Sequence, residues 1–179
     1  MRTSASEPRP RPQRTLGTVR QIAVPPAARA LSTLSHVDYE DAFVVETGPA
    51  QDRTGEQWAR ALLEDAPPGT RRALRLGWSS LGLRLGSTRS ERLVLGWEVR
   101  RSIPEVALIG ASSCLGLEGE VLFKRQQQTL LVATFVQLDN AIARAVWAGV
   151  APGHRRVVQN LLEQARPLGA ARVATRNRG

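Results

Sequence analysis

Cysteine, lysine, tyrosine and histidine are all scarce in this chain of 179 residues. Cys114 is the only cysteine, which excludes an intrachain disulfide and fits a reducing, cytoplasmic setting. It lies in a strand-like apolar stretch with no histidine close in sequence, where a small buried hydrophobe is the plainer reading than a nucleophile. The two histidines, His36 and His154, are far apart, and with one cysteine they do not compose a metal site. Long apolar runs are missing too. Residues 106–117 are too short, and residues 130–151 are broken by Asp139 and Arg144, so nothing reaches the roughly 18 uncharged apolar residues of a membrane helix. Ser, Glu and Pro follow the first arginine where a signal peptide needs an apolar core. There is no Gly-x-Ser-x-Gly elbow, which leaves a Ser-His-Asp triad unsupported. No glycine-rich strand-to-helix turn occurs either, and no cofactor is expected.

Positive charge is abundant, and its distribution matters. The formal net charge is +9, with Lys124 the only lysine among 25 basic residues. Residues 1–34 hold six arginines against Glu7, and residues 167–179 hold Arg172, Arg176 and Arg178 with no acid. The body between them is nearly neutral, with 16 basic and 15 acidic residues. A basic nucleic-acid domain is therefore disfavoured, although Arg-rich tails can attract phosphate backbones or an acidic partner. Pro8-Arg9-Pro10-Arg11-Pro12 favours extended polyproline II. The division read from the chain is a disordered basic tail and linker over 1–34, one globular domain over 35–166, and a second basic tail over 167–179.

Within the domain the periodicity changes several times. Residues 37–45 read as a strand, with Tyr39, Phe43 and Val45 spaced by two or four, ended by Gly48-Pro49. Thr54-x-x-Gln57 forms a capping box for a helix carrying Trp58 and Leu62, stopped by Ala66-Pro67-Pro68-Gly69. Thr70 caps a second helix with Leu74, Trp78 and Leu81 at helical spacing. Four strand signals follow, over 93–99, 104–114, 117–125 and 129–138, with Gln126-Gln127-Gln128 as a hairpin loop. Short connections between them imply an antiparallel meander. Asp139 or Asn140 then caps a long amphipathic helix over 140–166, which Pro152 is expected to kink or restart and Pro167 to end. This is an α+β chain with a curved antiparallel sheet wrapped around a long C-terminal helix.

The C-terminal run Asn140 to Trp147, then Pro152-Gly153-His154-Arg155-Arg156-Val157-Val158, resembles a family of unknown function in the START-like, or SRPBCC, superfamily with its helix-grip fold. Trp147, Pro152 and His154 carry the likeness, and Val146 stands where that family often has tyrosine. Some members are fused to nucleotide-dependent reductases, a domain that this chain lacks. The resemblance implies a cavity between sheet and helix suited to a small hydrophobic or amphipathic molecule, and no particular activity.

Ligand-lining candidates are the aromatic residues Trp78, Trp97, Phe123, Phe135 and Trp147, together with His154. An ordinary packed core is the alternative reading for the rings. His154 lies after Pro-Gly at an expected helix restart, where it could bond orphan backbone groups. It could instead line the pocket, or act as acid or base in an enzyme of the cyclase or dehydratase kind. Arg100 or Arg144 could stand at the cavity mouth. Glu40-Asp41 and Glu118/Glu120 are carboxylate pairs, the latter expected on a solvated sheet face. Gly96, Gly110, Ala111 and Gly119 supply small residues where a sheet curves or bulges.

Overall fold

The computed structural model describes residues 19–47, 53–88 and 90–175, with side chains described as far as Gln164. The Arg/Pro-rich run 1–18, Gly48-Pro49 and residues 176–179 lie outside the described residues. In chain order the elements are β1 (Arg20–Ile22), α1 (Pro26–Arg29), β2 (Tyr39–Glu46), α2 (Gly55–Leu63), α3 (Pro68–Ser80), β3 (Leu93–Val94), β4 (Trp97–Ile103), β5 (Val106–Ser112), β6 (Leu117–Gln126), β7 (Thr129–Leu138) and α4 (Ala141–Thr175). The strands form one curved, unclosed antiparallel sheet in the order β1-β2-β7-β6-β5-β4-β3, the meander expected from the short connections.

The period of two places residues on two faces. Phe43, Val45, Ala107, Ile109, Phe123, Leu130, Val132 and Val136 share the inner core with Trp58 and Leu62 of α2 and with Ala143, Trp147 and Leu162 of α4. Ala42, Val106, Leu108, Leu122, Leu131, Ala133 and Phe135 point the other way into a second apolar cluster. Ala28 of α1 is buried in that cluster, and Ile22, Val24, Leu31 and Leu34 pack on it. Residues 19–34, expected as a loose linker, are therefore part of the fold: β1 pairs with β2, and the segment behind it covers the outer face of the sheet.

The outer face is fastened by charge. Glu120 of β6, expected on a solvated face, is fully buried. It accepts hydrogen bonds from Ser32 Oγ at 2.5 Å, from Thr33 N at 3.0 Å and from Thr33 Oγ1. Arg100 Nη1 pairs with Glu120 at 2.8 Å while Nη2 binds Glu118. Arg100 is thus on the outer face, not at a cavity mouth. Burial works to lower its pKa, but hydrogen bonds and charge from Glu120 and Glu118 raise it overall. The pairing of β4 with β5 shifts register between Val99 and Arg101, so Arg100 is the extra residue of a bulge. Its side chain crosses β5 at Gly110, where a Cβ would lie 2.0 Å from Arg100 Nε. Gly110 is the residue that lets the guanidinium reach β6.

Other expectations are adjusted by local geometry. The run 93–99 is not one strand but two, turned at Leu95-Gly96. Both residues have positive φ, 47° and 98°, as a two-residue type I′ hairpin turn requires. Leu95 occupies that position because its side chain is buried, its N–H bonds Glu64 Oε1 at 3.0 Å and its carbonyl accepts from Arg75. The Thr54/Gln57 capping box is present at α2. α3 begins at Pro68 behind Pro67 and not at Thr70, since proline suits a first turn whose N–H groups are unpaired anyway. Asn140 caps α4 through Oδ1, which accepts from Ala143 N at 2.8 Å.

α4 continues through Pro152 without restarting, and its backbone stays helical past Pro167 to Thr175, so residues 167–175 extend the helix. Pro152 lacks one donor, but it and Ala148, the residue whose carbonyl it leaves free, are both exposed to water.

Gly110→Ala should displace Arg100 and strand Glu120 as a buried charge, costing about 3 kcal/mol or more in urea unfolding; an unchanged midpoint would show that the clamp is not needed. A chain beginning at residue 35 should lose cooperative unfolding and expose the outer cluster to an apolar dye. Retention of a sharp transition would argue that the segment is dispensable.

Candidate ligand cavity

α2 lies close against the sheet, and the α3 side does not. The Gly55 N–H donates to Pro104 O at 3.0 Å, and a Cβ on Gly55 would sit 2.6 Å from Ala107 N, so α2 is seated directly on sheet backbone. Between the inner face, α3 and α4 lies a cavity of about 610 Å³. Its walls are mainly apolar, with Leu62 and Leu74 from the short helices, Ile109, Val121 and Val132 from the sheet, and Val150, Val158 and Leu161 from α4. Thr70, Ser80, Thr134, His154, Asn160 and Gln164 supply its polar edges, and among the described residues no Asp, Glu, Lys or Arg lines it.

Five of the six side chains picked from the sequence line this space: Trp78, Trp97, Phe123, Trp147 and His154. Trp78 and Trp97 meet edge to face at 5.3 Å. Gly119 leaves room for Trp97, whose ring would lie 3.3 Å from a Cβ there. Phe135 does not line the cavity. It belongs to the outer cluster, because its neighbours Thr134 and Val136 take the inward positions on β7. Arg144 is exposed and is likewise not a lining residue. The indole N–H groups of Trp97 and Trp147 are buried without an acceptor among the described residues.

His154 is inside α4 and bonds side chains, not the backbone groups of a helix restart. Its Nε2 lies 3.1 Å from Thr134 Oγ1 and 3.5 Å from Asp41 Oδ2. The Tyr39 hydroxyl donates to the same Asp41 oxygen at 2.7 Å. Tyr39 stacks edge-on against Trp147 at 5.0 Å, and Trp147 stands 5.4 Å from the His154 ring. Asp41 is 4% exposed, and its Oδ1 has no hydrogen-bond partner among the described residues. Burial pushes its pKa up, but the hydrogen bond and charge of His154, with the Tyr39 and Thr134 hydroxyls, bring it below its ordinary value. Burial, then the Asp41 carboxylate, push the Tyr39 hydroxyl pKa well up. Tyr39 is thus a protonated donor at neutral pH and Asp41 an anion.

Tyr39 and Thr134 were not among the candidates read from sequence, and Asp41 stood there as half of the Glu40-Asp41 carboxylate pair and not as a cavity residue. Asp41 had a signal: it shares parity with Tyr39, Phe43 and Val45, so it is an acid on the apolar face of β2. Thr134 had none, since its role depends on the register of β7 against β2, where it pairs with Asp41.

No group of three or more His, Cys, Asp and Glu among the described residues could hold a metal ion, and no described helix is long and apolar enough to cross a membrane. Compared with protein-family models, curated proteins and solved structures, the chain finds no match in any of the three.

A carboxyl whose folded pKa is depressed stabilises the fold fully above its unfolded pKa, near 4, and less as pH falls through the folded value. Asp41→Asn should therefore flatten the acid limb of the stability curve below about pH 4 relative to wild type. Parallel acid limbs in urea unfolding would show that Asp41 is not held this way.

Proposed function

We propose that this is a START-like domain that binds one small hydrophobic or amphipathic molecule between the sheet and α4. The observation that carries the reading is the apolar cavity of about 610 Å³ with a few polar groups on its lining, His154 and Thr134 among them. Pockets of this size and lining suit drug-sized ligands, with apolar area giving affinity and a few polar groups fixing orientation. The α+β layout with a long C-terminal helix agrees with the family likeness of Trp147, Pro152 and His154.

Gly153 offers a test that separates binding from folding. It lines the cavity, and a Cβ there would meet nothing within 4 Å. Gly153→Leu should raise helix stability by up to about 1 kcal/mol while reducing saturable binding of a neutral apolar dye such as Nile red. Native mass spectrometry of gently purified protein should also show a retained small molecule. A protein that carries nothing and binds no such dye saturably would remove the basis for this reading.

A second reading has its own support. An enzyme using His154 as acid or base needs that imidazole at the cavity and an orienting carboxylate behind it, and His154 with Asp41 has that arrangement. Once a substrate is known, full turnover by His154→Ala would exclude it.

A further inference from the structure

Building on the cavity reading, we infer that the ligand is a neutral apolar molecule bearing a hydroxyl group, and that this hydroxyl bonds Nδ1 of His154. The argument begins with the tautomer. Nε2 of His154 faces the Oδ2 of a carboxylate that is anionic at neutral pH and can only accept. A lone pair on Nε2 would confront the lone pairs of that oxygen, so Nε2 carries the proton. Thr134 Oγ1, at 3.1 Å, is the closer acceptor for the same N–H. Tyr39 donates to Asp41 from the other side and keeps the carboxylate in place.

With Nε2 occupied, Nδ1 is the ring nitrogen without a hydrogen-bond partner among the described residues. In the neutral ring it is an acceptor, and His154 lines the cavity. An acceptor in an apolar cavity calls for a ligand donor. In the charged ring the same Nδ1 is a donor and calls for a ligand acceptor. A hydroxyl is the small neutral group that does both.

Charge narrows the class further. Among the described residues no Arg or Lys lines the cavity, and any charge on His154 is already matched by the Asp41 carboxylate, which leaves none to compensate a carboxylate or phosphate. The buried Asp41 anion behind His154 repels one as well. A bare hydrocarbon fits the apolar walls but leaves Nδ1 of His154 unpaired. The preferred ligand is therefore an alcohol or phenol on an apolar frame.

A matched series tests this on the full chain: 4-phenylphenol, biphenyl and biphenyl-4-carboxylate, titrated by calorimetry or by quenching of tryptophan fluorescence. The phenol should bind about three- to ten-fold tighter than the hydrocarbon, the worth of one net hydrogen bond, and the carboxylate weakest. His154→Ala should bring phenol and hydrocarbon to equal affinity without loss of hydrocarbon binding. Nitrogen-15 NMR of wild-type protein gives a measurement that does not depend on the variant folding. It should show His154 protonated at Nε2, with the Nδ1 resonance moving on addition of the phenol and not of biphenyl. Equal binding of phenol and hydrocarbon by wild type, tightest binding of the carboxylate, or a proton on Nδ1 of the neutral ring would overturn the inference and leave the cavity reading intact. Absence of binding by all three would overturn both.

Discussion

A sheet whose central strands are apolar on both faces must be covered twice, and most of this architecture follows from that requirement. β5 and β7 have few polar side chains on either side. Left open, either face would expose a continuous apolar surface. The inner face is covered by α2, α3 and α4. The outer face is covered by the short segment carrying β1 and α1, which has no long helix to offer and is fastened instead through Glu120. The two covers use different physics. The inner one relies on large rings and aliphatic side chains, the outer one on a small apolar cluster closed by a buried ion pair and three hydroxyl and amide donors.

The inner cover leaves space unfilled. α2 rests on strand backbone through Gly55, whereas the region between α3 and α4 is spanned by tryptophan rings and glycines. At the edge of that space sits a buried carboxylate with its own small network. A buried anion is costly unless paired, and among the described residues His154, Thr134 and Tyr39 hold Asp41. The same groups thus keep the fold together and fix the orientation of the one imidazole that borders the cavity, so stability and the geometry of the cavity edge are coupled at a single place on β2, β7 and α4.

Much of this was legible in the chain, and the failures have physical causes. The meander, the capping box at Thr54 and the long final helix follow from periodicity and local hydrogen bonding, which are properties of neighbours in sequence. The outer cover was missed because its sixteen or so residues look like linker, with two prolines and little periodicity; its apolar side chains make sense only against a face supplied by strands far along the chain. The apolar-both-faces character of residues 104–114 was the available clue that such a cover had to exist. Leu95 was read as a strand residue because leucine almost never signals a positive φ. Phe135 and Glu120 were placed on the wrong side for the same reason in opposite senses: composition assigns aromatics inward and acids outward, while register alone decides.

The contacts of Glu120 have a consequence for the order in which the molecule can be made. Thr33 and Glu120 are 87 residues apart in sequence, and β2 pairs with β7, the last of the described strands. During synthesis from the N-terminus, the covering segment and β2 can pair with each other, but they emerge long before the strands β6 and β7 that complete their contacts. They remain exposed until β6 and β7 follow, so final closure of the outer face is a late, long-range event. Within this segment Arg20, Pro25, Pro26 and Arg29 are of the residue types that blunt edge-to-edge pairing of a strand kept waiting.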